Sequence, residues 1–297
     1  MQSLLNPLGP AAGEIASLAW LLFAGGGAIL ALVVLLALQA VFAPRAWLAR
    51  PWFVVAGGVV LPVAVLSALL VYTVRPMRAM GGADARPAAL EIEVTAHQWW
   101  WRVRYLGSQG QIDFETANEI RIPAGMPVQV HLRSADVIHS FWVPNLAGKV
   151  DMVPGRTTRI RLEADNPGTF RGQCAEYCGG PHARMALYVI AEEGARFETW
   201  RIAQRTPATR SNEVFASRCA ACHAIRGTGA SGQLGPDLTH VASRLSLGAG
   251  TLRNDATTLS GWIASGQHVK PGNLMPSFEH LPARELQSVA VYLSGLQ

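Results

Sequence analysis

The run GQCAEYCGGPHARM, Gly172–Met185, places four metal-binding side chains in one short loop. Cys174 and Cys178 are four residues apart, and His182 and Met185 follow them. Thiolate and thioether ligands are soft and suit copper, whereas imidazole binds copper or zinc. The run therefore indicates a metal site, with copper as the favoured ion.

Other interpretations of the two cysteines stay open on this run alone. A structural zinc would take Cys174, Cys178, His182 and one distant residue, but it has little use for the thioether of Met185. A copper site has a place for a weak axial methionine. A local disulfide, and cysteines that only pack, are the remaining possibilities.

Short alternating segments surround this loop, from about residue 90 to residue 191. Apolar and polar residues alternate over five to eight positions, which is typical of strands with one buried face. Gly, Pro and Asn separate the segments, so the pattern predicts an antiparallel β-sandwich or barrel of ~100 residues. The segments are EIEVTA, WRVRY, EIRIPA, PVQVHLRS, TTRIRLEA, TFRGQC and ALYVIA.

His139 lies in SADVIHSFWVP, on or beside a strand of this predicted sandwich. A lone histidine in a strand is usually a packed or surface residue. However, a β-sandwich that supplies one ligand from an internal strand and the others from a late loop has the arrangement of the cupredoxins. The second cysteine of the loop would allow two bridging thiolates, and hence two metal ions.

The N-terminal part predicts a membrane hairpin, because half of the 297 residues are hydrophobic and two long uncharged runs occur here. The predicted spans are residues 15–42 and 51–74, each longer than the ~20 residues that cross a bilayer. A signal peptide is disfavoured, since no positive region precedes the first run and the run is too long. Pro62 predicts a kink rather than a break in the second span.

The net charge of +5 is spread along the chain without a block of Lys or Arg, and lysine occurs only at Lys149 and Lys270. Nucleic-acid binding is therefore disfavoured, and contact with membrane lipid is a better explanation. The absence of Lys or Arg before the first span favours an outer N-terminus and a cytoplasmic loop. Everything after Val74 would then lie outside.

The C-terminal part predicts a separate small helical domain. A short helix over residues 192–204 and the linker RTPATRS, residues 205–211, precede it, and about nine extended residues would reach ~30 Å as a tether. Helical patterns follow at residues 212–224, 257–265 and 283–293.

The sequence RCAACH, Arg218–His223, has the spacing of a c-type haem attachment site. Cys219 and Cys222 would form the thioethers and His223 would be the proximal ligand. Taken alone, the CxxCH pattern could also be a redox dithiol or a chance match. Its position in a small predicted helical domain favours haem. Met275 is the predicted distal ligand. A thioether ligand raises the reduction potential of the haem, which suits a protein that passes electrons on to an acceptor. The other candidates for that ligand are His240, His268 and His280.

Four segments together resemble the signature sequences of subunit II of haem–copper cytochrome c oxidase. They are AHQWWWR, SADVIHSFWVP, LAGKVDMVPGR and GQCAEYCGGPHARM, and with the hairpin the resemblance covers about residues 10–205. The sequences GPDL and NLMPSF further resemble class I cytochromes c. The chain therefore resembles the caa type, in which a cytochrome c domain is fused to subunit II.

The resemblance implies a dinuclear copper centre, CuA, bridged by Cys174 and Cys178. It implies that His139 and Met185 complete one copper, and that His182 and the backbone carbonyl of Glu176 complete the other. The Glu176 side chain would ligate Mg²⁺ at the interface with subunit I, which suits a hard carboxylate.

Trp99 matches the family tryptophan through which electrons reach the copper. Asp136 matches an acidic residue near the docking surface for the donor, although a solvated aspartate is an equal interpretation.

Two positions depart from the family pattern. Arg104 stands where an acidic residue is usual, which weakens an acidic docking patch for a basic cytochrome. Val55 stands where many members carry a glutamate at the mouth of a proton channel, so no role in proton uptake is assigned to this chain.

These features predict four parts: a transmembrane hairpin (1–87), a cupredoxin-like CuA domain (88–204), a linker (205–211) and an all-α class I cytochrome c domain (212–297). The expected protein passes electrons from haem c to CuA and on to subunit I, where oxygen is reduced and protons are pumped. Expected partners are subunits I and III, lipid and an external donor, either cytochrome c or a bc complex.

The expected location is the bacterial inner membrane, with both soluble domains on the periplasmic side. The alternatives are a CuA-bearing subunit of a nitric oxide reductase and a free membrane-anchored carrier.

Overall fold

The structure, a computed structural model, describes residues 2–81, 87–88 and 90–297. The chain forms two compact units, one of residues 13–86 and one of residues 1–12 together with 87–297. The first unit is helical, and the second contains the β-sandwich and the C-terminal helices.

Two stretches of the helical part are long and apolar enough to cross a membrane, as predicted. Helix α1 spans Pro10–Phe42, and its mean hydropathy reaches 2.7 over an 18-residue window. It begins at a proline, which is favoured in the first helical turn because its missing N–H has no partner there. The second stretch, Pro51–Val74, reaches a mean hydropathy of 2.6. A 3₁₀ turn, Ala46–Ala49, stands between them.

The second stretch remains helical through Pro62, with one irregular turn before it. Helix α2 spans Pro51–Val55, a π-helical turn spans Ala56–Val60, and helix α3 spans Leu61–Gly81. Proline has no N–H for the carbonyl four residues earlier. A widened π turn is one of the common ways in which a helix accommodates such a defect.

Ten strands form two five-stranded sheets, which confirms the predicted β-sandwich. In the first sheet the order is β3-β2-β1-β5-β8 and in the second it is β4-β10-β9-β6-β7. The strands are β1 Leu90–His97, β2 Trp100–Leu106, β3 Ile112–Ala117, β4 Glu119–Pro123, β5 Val128–Ser134, β6 His139–Trp142, β7 Val150–Met152, β8 Thr158–Leu162, β9 Gly168–Cys174 and β10 Ala186–Glu192.

Two strand pairs are parallel, whereas the sequence predicted an antiparallel sandwich. They are β1 with β5 and β4 with β10. The chain leaves the first sheet for β4 and then returns, so β5 lies beside β1 in the same direction. The remaining pairs within the sandwich are antiparallel.

The core lies between the two sheets. Ile92 and Val94 of β1 stand opposite Val130 and Leu132 of β5, and all four are fully buried. Successive side chains of a strand point to opposite faces, so this alternation fills one inner face. The hydroxyl of Tyr105 on β2 donates to the carbonyl of Arg121 on β4 at 2.8 Å, which joins the two sheets.

The C-terminal part has its own core, and a helix that packs on the sandwich precedes it. Helix α4, Gly194–Gln204, packs Phe197 and Trp200 against the sandwich. Helices α5 Glu213–Arg218, α6 Ala256–Val269 and α7 Ala283–Ser294 then surround a second core. This domain was predicted to be all-α, but it also contains a short two-stranded ladder, β11 Ser246–Leu247 with β12 Leu252–Arg253.

The predicted linker is bonded to neighbours on both sides. Arg205 pairs with Asp113 of the sandwich at 2.6 Å. The amide of Ala208 donates to the Arg226 carbonyl, and the hydroxyl of Tyr292 donates to the carbonyl of Arg210. These bonds fix the linker along the C-terminal helical part.

Candidate metal and haem sites

The cysteine loop begins where β9 ends at Cys174 and closes before β10. The amide of Cys174 donates to the carbonyl of Met185 at 2.9 Å, so the two ends of the loop are hydrogen-bonded. Gly179 has a φ of 116°, and a Cβ there would come within 2.9 Å of the Trp99 ring. A glycine is therefore required where the loop passes Trp99.

The two thiols of the loop lie close together with a histidine beside each. Their Sγ atoms are 3.8 Å apart, and both cysteines are buried and free. His139 Nδ1 is 3.7 Å from Cys174 Sγ, and His182 Nδ1 is 3.4 Å from Cys178 Sγ. Across the described part of the chain, His139, Cys174 and Cys178 form the one group of three or more His, Cys, Asp or Glu side chains whose ligand atoms lie within 4.8 Å of each other.

The remaining predicted ligands complete this cluster. Met185 Sδ is 3.8 Å from Cys178 Sγ, and the carbonyl oxygen of Glu176 is 3.2 Å from Cys174 Sγ. Six possible metal donors thus surround the sulfurs of Cys174 and Cys178: the two thiols themselves, a thioether, two imidazoles and one carbonyl. This soft donor set fits copper better than zinc, which has little use for the thioether. The carboxylate of Glu176 points out of the cluster, is exposed, and accepts the amide of Tyr177.

The thiols of the pair differ in acidity. The hydrogen bond from Cys178 lowers the pKa of Cys174 to about 3, against the opposing effect of burial. The same shared proton raises the pKa of Cys178. This direction favours the thiolate of Cys174, which is the form in which cysteine ligates metals.

Asp136 holds the ring of His139 from the side away from the sulfurs. Its Oδ1 lies 2.7 Å from His139 Nε2, which must donate because a carboxylate only accepts. Burial would lower the pKa of His139, but its bonds to Asp136 and Cys174 outweigh burial and raise it. From the sequence, Asp136 was predicted either to lie near the docking surface for the electron donor or to be a solvated aspartate. The Asp-x-x-His spacing was the available signal for this role.

Trp99 lies in the turn between β1 and β2, directly against the cysteine loop. Its Nε1 donates to the carbonyl of Cys178 at 2.9 Å, and the side-chain amide of Gln98 donates to the same oxygen at 2.7 Å. Trp101 is fully buried, and Trp100 stacks on His97. Of the three consecutive tryptophans, Trp99 is the one bonded to the cysteine loop.

The CxxCH segment forms a turn that follows α5. The amides of Cys222 and His223 both donate to the carbonyl of Cys219. His223 Nδ1 lies 2.8 Å from the carbonyl oxygen of Pro236, so Nδ1 carries the proton and Nε2 is left for a metal. A Cβ on Gly235 would come within 2.5 Å of the His223 ring, so glycine permits this approach. These contacts fit a proximal haem ligand.

The candidates for the distal haem ligand differ in their surroundings. Met275 lies in the loop after α6, packed against the second core. Both ring nitrogens of His240 face backbone carbonyls, at 2.7 and 3.0 Å. His268 is 80% exposed beside Glu279, and His280 is exposed. Of the four candidates, Met275 is the one whose side chain packs against the core of this domain without being bonded to a carbonyl or facing solvent.

An interface between the sandwich and the C-terminal helical part was missed by the sequence reasoning. Buried or half-buried charged side chains of each part bond to backbone groups of the other. Arg102 donates to the carbonyl of Gln233, Glu119 accepts the amide of Leu245, and Lys270 donates to the carbonyl of Trp99. Burial raises the pKa of Glu119 and lowers that of Lys270 to about 7. No local sequence pattern signals such contacts.

Arg104, which replaces a usual acidic residue, is paired within the first sheet. It lies 2.9 Å from Glu115 and 3.3 Å from Glu93. Its positive charge is therefore balanced by neighbouring strands.

Comparisons with known proteins match both soluble parts. Residues 106–192 match the family model for the periplasmic domain of cytochrome c oxidase subunit II, and residues 208–297 match that for cytochrome c. Cytochrome c oxidase subunit 2 of Alkalihalophilus pseudofirmus is 36% identical over 251 residues, 80% of this chain and 71% of that protein.

A second relative, cytochrome c oxidase subunit 2 of a Bacillus species, is 28% identical over 265 residues, 83% of this chain and 73% of that protein. Among solved structures, the periplasmic domain of subunit II of cytochrome oxidase of Bradyrhizobium japonicum is 31% identical. It covers 40% of this chain and 96% of that domain, with a TM-score of 0.38.

Proposed function

This chain belongs to the cytochrome c oxidase subunit II family, and we propose that it relays electrons from a covalently bound haem c through a dinuclear copper centre to subunit I. It is a membrane-anchored subunit with a cytochrome c domain, and its relatives belong to an oxidoreductase complex. Copper and haem c are the cofactors of its two soluble domains.

The convergence of six donors in the cysteine loop carries the proposal. Cys174 and Cys178 would bridge two coppers, and the other ligands would be His139, His182, Met185 and the carbonyl of Glu176. Held by these donors, copper would supply a one-electron redox couple. The protein's part is to hold the donors fixed, which the closed loop and Asp136 do.

The C-terminal domain would hold haem c by thioethers at Cys219 and Cys222. His223 would be the proximal ligand, oriented by Pro236, and Met275 the distal ligand. Haem supplies a one-electron redox couple, and a methionine ligand raises its potential.

Trp99 provides the contact path between the two centres. Its indole donates to the carbonyl of Cys178, and the loop that precedes Met275 passes near its ring, since a Cβ added at Gly272 would lie 3.7 Å from it. Electrons would therefore leave the haem domain at this loop, cross Trp99 and reach the cysteines. The exposed Glu176 carboxylate would meet subunit I and bind Mg²⁺ there.

The cellular setting follows from the attachment of haem c and from the hairpin. Both soluble domains would lie on the periplasmic side of the bacterial inner membrane, with the short loop between the spans in the cytoplasm. Subunits I and III and lipid would be neighbours. An external cytochrome c or bc complex would reduce haem c.

Rapid reduction of the purified oxidase tests the relay. After haem c is reduced, its oxidation should coincide with reduction of copper, and Trp99→Phe should slow that step because the bond to Cys178 is lost. Trp100→Phe, which changes a neighbouring indole not bonded to the loop, should leave the rate unchanged. Copper that is reduced before haem c would overturn the proposed order.

A further inference from the structure

Lys270 is one of two lysines in the chain and is almost fully buried, with 2% of its surface exposed. Its Nζ donates to the carbonyl of Trp99 at 2.5 Å and to that of Gly248 at 3.0 Å. A buried ammonium is costly unless hydrogen bonds compensate for lost water. Because Trp99 belongs to the sandwich and Gly248 to the C-terminal domain, the ammonium joins the two domains at the turn that carries Trp99.

Lys270 also begins a rigid loop that ends at Met275. Gln267 Nε2 donates to the carbonyls of Asn273 and Met275, each at 2.7 Å. Asn273 Nδ2 donates to the carbonyl of Lys270 at 2.7 Å, and its Oδ1 accepts the amide of Met275 at 2.8 Å. The position of Met275 is thus tied to that of Lys270 by side-chain bonds.

The same loop passes close to the indole of Trp99. A Cβ on Gly272 would lie 3.7 Å from the Trp99 ring, which is ordinary van der Waals contact. The ring nitrogen of that indole is bonded to Cys178. A single side chain therefore separates the loop of Met275 from the cysteine loop.

Further bonds cross the same interface. Arg184, from the cysteine loop, donates to the carbonyl of Val269, and the amide of Ala186 donates to the carbonyl of Ala249 at 2.9 Å. The amide of Leu245 donates to the Glu119 carboxylate. The amides of Ala186 and Leu245 keep these hydrogen bonds, and are protected from exchange with water, only while the domains stay together.

We propose that Lys270 is a positioning residue that fixes the loop of Met275 against Trp99 and thereby sets the distance between haem c and copper. The inference rests on the proposed relay, and it adds the element that holds the two domains in one arrangement. Electron tunnelling slows steeply with distance, so a small separation at this contact slows transfer. A buried amine with two backbone acceptors also favours one docked geometry over others, because its hydrogen bonds are satisfied only there.

Amide hydrogen exchange in the purified oxidase tests the docking directly. In the unmodified protein, the amides of Ala186 and Leu245 should exchange slowly. Lys270→Met keeps the length of the side chain but removes the charge, and should speed the exchange of both amides at least about tenfold. The amide of Val94, on the central strand β1, should not change, because the sandwich itself stays folded.

The electron-transfer rate tests the consequence. Lys270→Met should slow oxidation of haem c by copper at least about tenfold, while the absorption spectra of both centres stay as they were. Lys149→Met, which removes the exposed lysine, should alter neither exchange nor rate. Lys270→Gln restores a neutral hydrogen-bond donor and should give an intermediate rate. It replaces Lys270→Met in both measurements if that variant does not assemble.

Two results would overturn the inference. Rapid exchange at Leu245 in the unmodified protein would mean that the domains are not held together. An unchanged transfer rate in both Lys270 variants would mean that Lys270 does not set the distance. Failure of the relay itself would appear separately, as absence of copper from the unmodified protein.

Discussion

The carboxylate of Asp136 connects a proposed copper ligand to the turn that carries Trp99. It accepts His139 Nε2 at 2.7 Å, the amide of Val137 at 2.7 Å and the amide of Gln98 at 2.6 Å. A ligand histidine is commonly fixed in this way, since the bond to one nitrogen orients the other toward the metal. One side chain thus orders both His139 and the turn that carries Trp99.

Replacing Asp136 should weaken copper retention. Asp136→Asn keeps the shape but removes the charge that orients His139, and loss of such partners typically lowers metal affinity by about 10- to 100-fold. The measurement is copper retained by the purified oxidase during titration with a chelator. Asp151→Asn, at an exposed aspartate on the neighbouring strand β7, is the matched control and should retain copper. Equal retention in both variants would show that His139 is oriented by other contacts.

Residues that are close in sequence were the ones that sequence reasoning could place. Cys174, Cys178, His182 and Met185 were predicted to act together because one short loop contains them, and their side chains do converge. His139 came from a distant segment and was linked to the loop through the ligand arrangement of the cupredoxins. Lys270 could not be predicted, because its partners depend on how two domains pack.

The loop after α6 is held by side chains of the helix that precedes it. Gln267, in the last turn of α6, bonds to the carbonyls of Asn273 and Met275. Met275 packs against the core of the C-terminal domain, while His240 is engaged by carbonyls on both nitrogens. The loop is therefore built to present a methionine, which supports Met275 as the distal haem ligand.

Loss of the thioether should lower the potential of haem c. Met275→Ala removes the proposed distal ligand, whose thioether would stabilise reduced haem, and a redox titration followed by haem absorbance measures the change. Met126→Ala, at a methionine 45% exposed on the sandwich, should leave the potential as it is. An unchanged potential in Met275→Ala, with a fall in His268→Ala, would assign the ligand to His268.

At the scale of elements, alternation predicted the strands that are buried on one side. The segment EIRIPA, for example, corresponds to β4. Strand β3, Ile112–Ala117, was not predicted, because Ile112 is exposed and Asp113 and Glu115 give the segment a polar character. The parallel pairing of β1 with β5 was also missed, since alternation fixes which face is buried but not the direction of a neighbour.

At the scale of the whole molecule, the two soluble domains form a single compact unit with the N-terminal residues 1–12. The linker sequence RTPATRS predicted a tether, yet it is bonded along its length to the C-terminal helical part and through Arg205 to the sandwich. Composition indicates where a chain has no regular structure, but docking depends on scattered residues such as Arg102 and Glu119. The two long apolar helices, in contrast, were predictable because a bilayer requires a continuous run.

The division into a hairpin (1–87), a CuA domain (88–204), a linker (205–211) and a cytochrome c domain (212–297) stays a proposal about how the chain works. The hairpin would anchor the chain, the CuA domain would relay electrons, and the linker would connect it to the cytochrome c domain, where electrons enter. The hairpin and the exposed Glu176 would face the partner subunit, while the haem domain would face the donor.

Copper content shows whether the cysteine loop holds a copper pair. The full chain, purified apart from its partner subunit and dialysed against a chelator, should contain two coppers for each covalently bound haem c, because the proposed centre has two thiolates that would bridge two ions. Cys178→Ser should lose the dinuclear copper spectrum and keep the haem c bands, whereas Tyr177→Phe, at an exposed neighbour in the same loop, should keep both. One zinc and no copper in the unmodified chain would contradict the account.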